Sequence, residues 1–556
     1  MNKNKKYRNY LPLIITISLV AGIVLGTFYA GYFRSNRLSI FSHTNNKIND
    51  LLFTIEDRYA DTVNIDDLVE KSLPRILSEL DPHSTYTSAK KVEEEMMELK
   101  GSFSGIGIIF SIIQDTARVV RVVEGGPSED VGLMAGDRIV KVDGKSFIGD
   151  FLNEEYATKT LRGPKDSSVK LGILRVGEKG IKTYEITRGA VPVKTIDAYA
   201  MLNKNTGYIH ISSFGENTYA ELLVALTDLN NSGCRNLILD LRDNGGGYMN
   251  TAIQVANEFL PEKQLIVYTE GRKSERMEYF SDGRGNYKKI PLVVIVNENS
   301  ASASEILAAA IQDNDRGTIV GLRTFGKGLV QEPIQFADGS LLKLTIARYY
   351  SPSGRCLQKP FVRGETENYQ NDIYSRYVNG EFSTQDSIHL SGKKYHTKLG
   401  RVVYGGGGVT PDIFIAADTS DITSYFMEAF TSKRLIEFAY NFTDTHRKAL
   451  NDLSDWKEID KYLNKQKIVD KFVTYAESKG QKRRNLLIKK SYQRLYKTLV
   501  STIINNVLGN KDAVLFQCQS DKNILKALSI IEEGQTFPKP ITNTSTDKPK
   551  KKNKGK

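Results

Sequence analysis

Three serines alternate with alanine in Asn297-Glu298-Asn299-Ser300-Ala301-Ser302-Ala303-Ser304-Glu305, where an apolar strand hands over to a helix. A hydroxyl at that position is a candidate nucleophile, because a helix N-terminus favours developing negative charge and small neighbours let a substrate backbone approach. Read without chemistry, the same serines are helix caps. A second segment, Asn244-Gly245-Gly246-Gly247, follows the apolar run 237–241 and precedes another helix. Glycines there expose backbone amides, which is what an oxyanion hole needs. In a third segment, Thr324-Phe325-Gly326-Lys327-Gly328-Leu329-Val330-Gln331, a lysine stands between two glycines ahead of an alternating strand. Turned outward it is a solvated loop residue. Turned inward it is desolvated, its pKa falls, and the neutral amine can take a proton from a serine.

Other chemistries lack their residues. None of the six histidines is followed by glutamate, so the zinc-protease helix motif is missing; no Gly-x-Ser-x-Gly elbow occurs; Gly144-Lys145-Ser146 lacks the upstream glycine of a phosphate-binding loop. Asp313, eleven residues after Ser302, lies about 16 Å along a continuous helix, too far for a triad partner, and reads as structural. His83, in Leu80-Asp81-Pro82-His83-Ser84, reads as a turn residue because no second metal-type residue is suitably spaced from it.

These segments need a scaffold. At 556 residues, with 40% hydrophobic and 26% charged, the chain holds several folded domains. Between 191 and 355 strands and helices alternate: strands over 208–211, 237–241, 292–296 and 341–348, helices over 218–229, 249–260 and 303–312. That order implies an α/β core with a largely parallel sheet, whose sites form at the carboxyl ends of strands. Residues 44–100 read as helical, with Pro82 as a breaker. Residues 101–189 are a small β domain with strands over 119–123 and 139–142, and a short helix over 128–133 that Ser128 caps. There Phe103-Ser104-Gly105-Ile106-Gly107-Ile108 places two glycines ahead of a strand, either a plain turn or a nest of amides for a carboxylate. Residues 421–535 turn helical, with an apolar stripe of Ile488, Tyr492, Leu495, Leu499 and Ile503 ending near Gly509.

The net charge of +12 is concentrated at the ends: +4 within residues 1–10 and +6 within 538–556, leaving +2 for everything between. So near-neutral a body does not support a nucleic-acid groove, and no nucleic-acid partner is expected. Residues 11–33 carry no charge and span about 34 Å as a helix, enough for a bilayer core of about 30 Å. The run exceeds a signal-peptide core and no small-x-small site closes it, so an uncleaved anchor is expected, with residues 1–10 cytoplasmic and the bulk outside. Cys234, Cys356 and Cys518 fit neither a disulfide framework nor a zinc site.

Residues 119–144, VVRVVEGGPSEDVGLMAGDRIVKVDG, resemble the central stretch of a PDZ domain. That likeness implies capture of an extended C-terminal peptide, its carboxylate held at Gly105, Ile106, Gly107 and Ile108. VNENSASASEILAAAIQD, LRDNGGG, TFGKGLVQ, LDPHSTY and YGGGGVTPDI together resemble the carboxy-terminal processing peptidases of serine peptidase family S41. The resemblance implies a ClpP/crotonase-like α/β protease core with Ser302 as nucleophile, Lys327 as general base and Gln331 orienting the lysine. The backbone amides of Ala303 and Gly246 map to the oxyanion donors. Gly245 stands where these enzymes commonly have proline, which loosens that loop.

The expected chain is thus a basic cytoplasmic tail (1–10), a transmembrane anchor (11–33), a helical region (34–100), a PDZ domain (101–190), a protease core (191–418), a second helical region (419–537) and a basic tail (538–556). It would act outside the cytoplasm of a bacterium, at the inner membrane facing the periplasm, on proteins with accessible C-termini. No metal or cofactor is needed, and the resemblance implies self-association through the flanking helices. The rivals are a non-catalytic peptide-binding scaffold, which would lack Ser302 or Lys327, and a crotonase-like acyl-CoA enzyme, against which the PDZ-like domain argues.

Overall fold

The computed structural model describes residues 44–92, 101–388 and 392–539, together with residues 16, 18 and 20–23. The chain divides into two compact units after Leu77. In the first, the helical pattern forms Thr44–Arg58, and a second helix, Ile65–Ser78, runs to the boundary. Along Thr44–Arg58 the side chains of Ile48, Leu51 and Phe53 are more than half exposed. Most of the expected membrane span over 11–33, of the basic tails and of the charged stretch 90–100 lies outside the described residues. Among the described residues no helix is long and apolar enough to cross a membrane.

In the second unit, the central sheet runs Ile196–Met201, Thr206–Ile211, Asn236–Asp240, Leu292–Val296, Thr318–Gly321 and Ile413–Phe414 in spatial order. Its first pairing is antiparallel and the others are parallel. A parallel sheet is covered on both faces, so its strands are unbroken apolar runs. In Leu292–Val296 successive residues serve opposite layers. Leu292, Val294 and Val296 share a core with Leu222, Ala252 and Ile306 from the helices Thr218–Asn231, Met249–Phe259 and Ala303–Asp313. Val293 and Ile295 pack instead with Cys518, Ile524 and Ile530 from the helices Asn510–Cys518 and Lys522–Glu532. The C-terminal region therefore supplies one covering layer of the core sheet. Its apolar stripe is divided at Ser491 between the helices Asn485–Lys490 and Tyr492–Val507, and Leu495, Leu499 and Ile503 are buried in that region's own core. The three cysteines are free.

Two expectations of the sequence are corrected in a second sheet. The strand read over 341–348 is Leu341–Tyr350, and it does not join the parallel sheet. It pairs antiparallel with Leu329–Gln335, Leu265–Glu270 and Thr85–Thr87. Asp338-Gly339 turns the chain between Leu329–Gln335 and Leu341–Tyr350, with Gly339 at φ 88°, and a hairpin turn of this kind imposes antiparallel pairing. Thr85–Thr87 falls in a stretch read as helical. Beyond Ser78 the helix gives way to a turn in which Asp81 Oδ1 accepts the N–H groups of His83 (2.8 Å) and Ser84 (2.9 Å), and the chain leaves it extended.

The β domain is a six-stranded antiparallel sheet within residues 108–187. Its entering strand, Ser102–Gly105, pairs with its leaving strand, Gly189–Pro192. The short helix is Pro127–Asp130 with Gly126 at the N-cap. Ser128 is not the cap: it is buried and its hydroxyl has no partner among the described residues, because Pro127 already presets the first helical turn. The sheet meets the C-terminal helix Arg434–Asn451 at an ion cluster. Asp444 Oδ2 lies 3.4 Å from Arg118 and 3.6 Å from Arg138, and its Oδ1 lies 3.1 Å from Arg447. Arg118 and Asp444 are both buried.

Candidate active site

Between strand Leu292–Val296 and helix Ala303–Asp313 the chain turns sharply at Ser302, which has φ 55° and ψ −115°. A serine held at positive φ stores about 1–3 kcal/mol of strain and persists only where its surroundings impose it. Here they do. Ala301 N–H donates to Asn244 O (3.0 Å), and Ser302 N–H donates to Glu305 Oε2 (2.9 Å). The flanking serines are fasteners: Ser300 Oγ donates to Leu241 O (2.7 Å) and Ser304 Oγ to Asn244 O (2.9 Å), both buried. Ser302 alone of the three lines a cavity of about 640 Å³.

Lys327, Gln331, Ala303 and Gly246 line the same cavity. The lysine loop is built on Glu305, which is fully buried and accepts four hydrogen bonds. Its Oε1 takes Thr324 Oγ1 (2.6 Å) and Gly326 N–H (2.8 Å), and its Oε2 takes Ser302 N–H and Lys327 N–H (2.8 Å). Burial pushes this carboxyl up, and the four donors pull it back. A carboxyl proton on Oε2 would face two backbone N–H donors, and one on Oε1 could pass only to the Thr324 hydroxyl. The glycine run 405–408 closes over it. At Gly408, with φ 80°, a Cβ would lie 2.6 Å from Thr324 Oγ1 and 2.9 Å from Glu305 Oε1.

Burial holds the Lys327 amine below the ordinary lysine range; the charge of Lys343 adds to the shift, and Glu305 and Asp81 oppose it. Among the described residues no hydrogen bond joins Lys327 to Ser302 or to Gln331. Gln331 Nε2 donates instead to Thr345 Oγ1 (3.3 Å), which donates to Asp81 Oδ1 (3.1 Å). A hydroxyl and a weakly basic amine on one cavity can exchange a proton once a substrate draws them together, and such contacts are often long without one.

Gly246, at φ 106°, is a glycine of necessity: a Cβ there would lie 2.7 Å from Ser302 Cβ. Its N–H is engaged, donating to Asn244 Oδ1 at 2.9 Å, and must leave that partner before it can meet a substrate oxygen. Ala303 N–H, the first amide of its helix, has no intrahelical acceptor. Gly245 does not loosen the loop. Buried Asn244 pins it through its carbonyl, which accepts Ala301 N–H and Ser304 Oγ, and through Nδ2, which donates to Ile211 O (2.8 Å).

Far along the chain from these residues, Ile106, Gly107 and Ile108 line an apolar groove of about 90 Å³ in the β domain with Leu161 and Arg162. Gly105 does not line it and ends the strand paired with Gly189. The carbonyls of Ile106 and Gly107 accept Ser128 N–H and Val123 N–H (2.9 Å each), which fixes the turn.

Glu305, Asp81 and Tyr349 were not singled out by sequence reasoning. For Glu305 a signal exists, the Ser-x-x-Glu spacing of a capping box. Asp81 is brought to the site by the second sheet. Its Oδ2 takes Ser84 Oγ (2.6 Å), and Ser84 Oγ in turn accepts Thr345 N–H (3.1 Å). His83 belongs to the same turn, its Nε2 2.8 Å from the Tyr369 hydroxyl. Burial, aided by the charge of Lys327, pushes its imidazole down to about 4. Asp313 pairs with Arg355 at 2.8 Å, both fully buried, away from the cavity. Among the described residues no group of three or more His, Cys, Asp or Glu side chains is placed to hold a metal ion.

The sequence pattern of peptidase family S41 matches residues 205–370, that of the PDZ domain residues 118–175, and that of a family of unknown function residues 425–509. The chain is 35% identical over 348 residues to a carboxy-terminal-processing protease of Bartonella bacilliformis, covering 60% of this chain and 79% of the relative. It is 33% identical over 351 residues to the carboxy-terminal processing protease CtpA of Bacillus subtilis, covering 62% and 74%. Among solved structures, the photosystem II D1 C-terminal processing protease matches with 26% identity and a TM-score of 0.34, over 67% of this chain and 92% of that one.

Proposed function

Since the chain belongs to peptidase family S41, as a carboxy-terminal processing serine protease with a PDZ domain, we propose that it cleaves by a Ser302–Lys327 dyad. The observation that carries this reading is the sorting of three similar serines: Ser300 and Ser304 are tied to backbone carbonyls, while Ser302 shares a cavity with a half-buried lysine of depressed basicity.

In this mechanism neutral Lys327 takes the proton of Ser302 Oγ as that oxygen attacks the scissile carbonyl carbon. The carbonyl π pair moves to oxygen, and the amides of Ala303 and Gly246 receive the oxyanion, the latter after releasing Asn244. The Lys327 ammonium then protonates the leaving amine. Water, deprotonated by Lys327, attacks the acyl-enzyme; the acyl–Oγ bond breaks, the Lys327 ammonium returns the proton to Ser302 Oγ, and the new carboxylate is freed. Gln331, held by Thr345 and through it by Asp81, lines the same cavity and orients the lysine once substrate draws the two together. The groove at Ile106, Gly107 and Ile108 takes the C-terminus of the substrate.

The reading extends to location. The uncharged stretch 11–33, with four basic residues before it, favours a membrane anchor with the catalytic unit outside the cytoplasm, facing the periplasm in a two-membrane cell. The exposed Ile48, Leu51 and Phe53 favour self-association through the first helix.

The test compares the full-length wild type with Ser302→Ala and Lys327→Ala on β-casein, an unstructured protein with an apolar C-terminus, reading the intact masses of the products. Cleavage by wild type alone is expected. Equal cleavage by all three would overturn the dyad, and binding without cleavage by wild type would favour a scaffold.

A further inference from the structure

Tyr349 is 2% exposed, and its hydroxyl has no hydrogen-bond partner among the described residues. Buried phenols usually find one, because a donor stripped of water and left unpaired is destabilising. The ring packs in the same apolar core as Ile306, Leu357 and Val409. A phenylalanine would fill that space without stranding a donor.

The site lies beside the hydroxyl. Tyr349 lines the cavity that holds Ser302, and its hydroxyl is buried there without a hydrogen-bond partner among the described residues. Its backbone is fixed on both sides. Tyr349 N–H donates to Gly328 O (3.1 Å), the residue after Lys327, and Tyr349 stands opposite Thr269 in the second sheet. The next residue, Tyr350, stacks on Tyr268 with ring centroids 4.8 Å apart. The phenol therefore has little freedom to seek a partner away from the cavity it shares with Ser302.

We propose that Tyr349 is a third catalytic side chain, its O–H donating to Ser302 Oγ whenever that oxygen carries charge. This rests on the Ser302–Lys327 reading. Charge appears twice. It appears first as Lys327 Nζ takes the Oγ proton and the freed electron pair forms the bond to the carbonyl carbon. It returns when the acyl–Oγ bond breaks, its pair goes back to Oγ, and the Lys327 ammonium returns the proton. Tyr349 keeps its own proton throughout. Burial, with the charge of Glu305, holds the phenol well above its ordinary range, so it remains a donor at every working pH.

The decisive comparison is Tyr349→Phe against wild type and Ser302→Ala in the full-length chain, with initial rates on β-casein over a range of concentrations and thermal unfolding of each protein. The expected result is a fall in kcat of about ten- to a hundred-fold with KM within twofold, and a melting temperature equal to or above wild type. Tyr349→Phe cleaving within twofold of wild type while Ser302→Ala is silent would overturn the Tyr349 role alone. A rate loss matched by a lower melting temperature or a higher KM would make Tyr349 a packing residue. Cleavage by Ser302→Ala would remove the dyad reading and this proposal with it.

Discussion

The backbone amides of Ser302 and Lys327 donate to the same atom, Oε2 of Glu305, at 2.9 and 2.8 Å. The two residues lie twenty-five positions apart on different loops, and one buried carboxylate sets both loops at once. The other oxygen of that carboxylate holds Thr324 and Gly326 of the lysine loop. Glu305 is thus a positioning residue for nucleophile and base together.

Replacing Glu305 by glutamine keeps the shape and, in either orientation, sets an amide N–H against at least one backbone N–H. Two stranded groups cost on the order of 2–4 kcal/mol. Glu305→Gln is expected to melt at a lower temperature and to cleave at least tenfold more slowly even well below it. Calorimetry and initial rates on the same preparation check this, and an unchanged rate would show that the shared acceptor does not position the dyad.

Lys327 works as a neutral amine, so the rate should rise with pH through its pKa. The positive charge of Lys343 disfavours the ammonium and holds that pKa down. Lys343→Gln removes the repulsion, so the Lys327 pKa rises and the ascending limb of the pH–rate profile moves to higher pH. Activity at neutral pH falls, and the alkaline plateau stays. Initial rates from neutral to alkaline pH read the shift; a limb that stays in place or moves to lower pH would count against Lys327 as the base.

Asp444 receives Arg118, Arg138 and Arg447. Burial pushes the Arg118 guanidinium pKa down, with Arg138 adding to the shift and Asp444 opposing it. Neutralising that carboxylate leaves a buried cation uncompensated, a loss of roughly 3 kcal/mol. In Asp444→Asn, amide exchange is expected to quicken in the PDZ strands Thr116–Val122 and Arg138–Val142 while Leu292–Val296 keeps its protection. Uniform exchange across all three strands would show that the cluster does not hold the PDZ domain.

The parallel sheet was legible because Leu292–Val296 is apolar without interruption, the mark of a strand buried on both faces. The site segments were legible because glycine and small residues crowd at the carboxyl ends of such strands. The second sheet was not. Its edge strand Thr85–Thr87 is three residues long, too short for any period, and it reaches Leu341–Tyr350 only through the Asp81 turn. For the same reason the link from Gln331 through Thr345 to Asp81 was hidden, since 264 residues separate Thr345 from Asp81. Tyr349 reads as an ordinary strand aromatic, and only burial without a partner singles it out.

The C-terminal helices touch both of the other bodies of their unit: the PDZ domain at Asp444, and the core sheet through Ile524, Ile530 and the pairing of Asp521 with Arg242 at 2.7 Å. The PDZ domain in turn is joined to the core by chain connection, through the two-stranded stem in which its entering strand Ser102–Gly105 pairs with its leaving strand Gly189–Pro192. Mechanically this is a closed triangle of three members, and a pinned triangle has no free hinge. Opening any one corner turns the other two into pivots. The corner at Asp444 is the one made by side-chain charges rather than by chain connection or a packed apolar layer, so it is the corner that a single charge-neutralising substitution reaches.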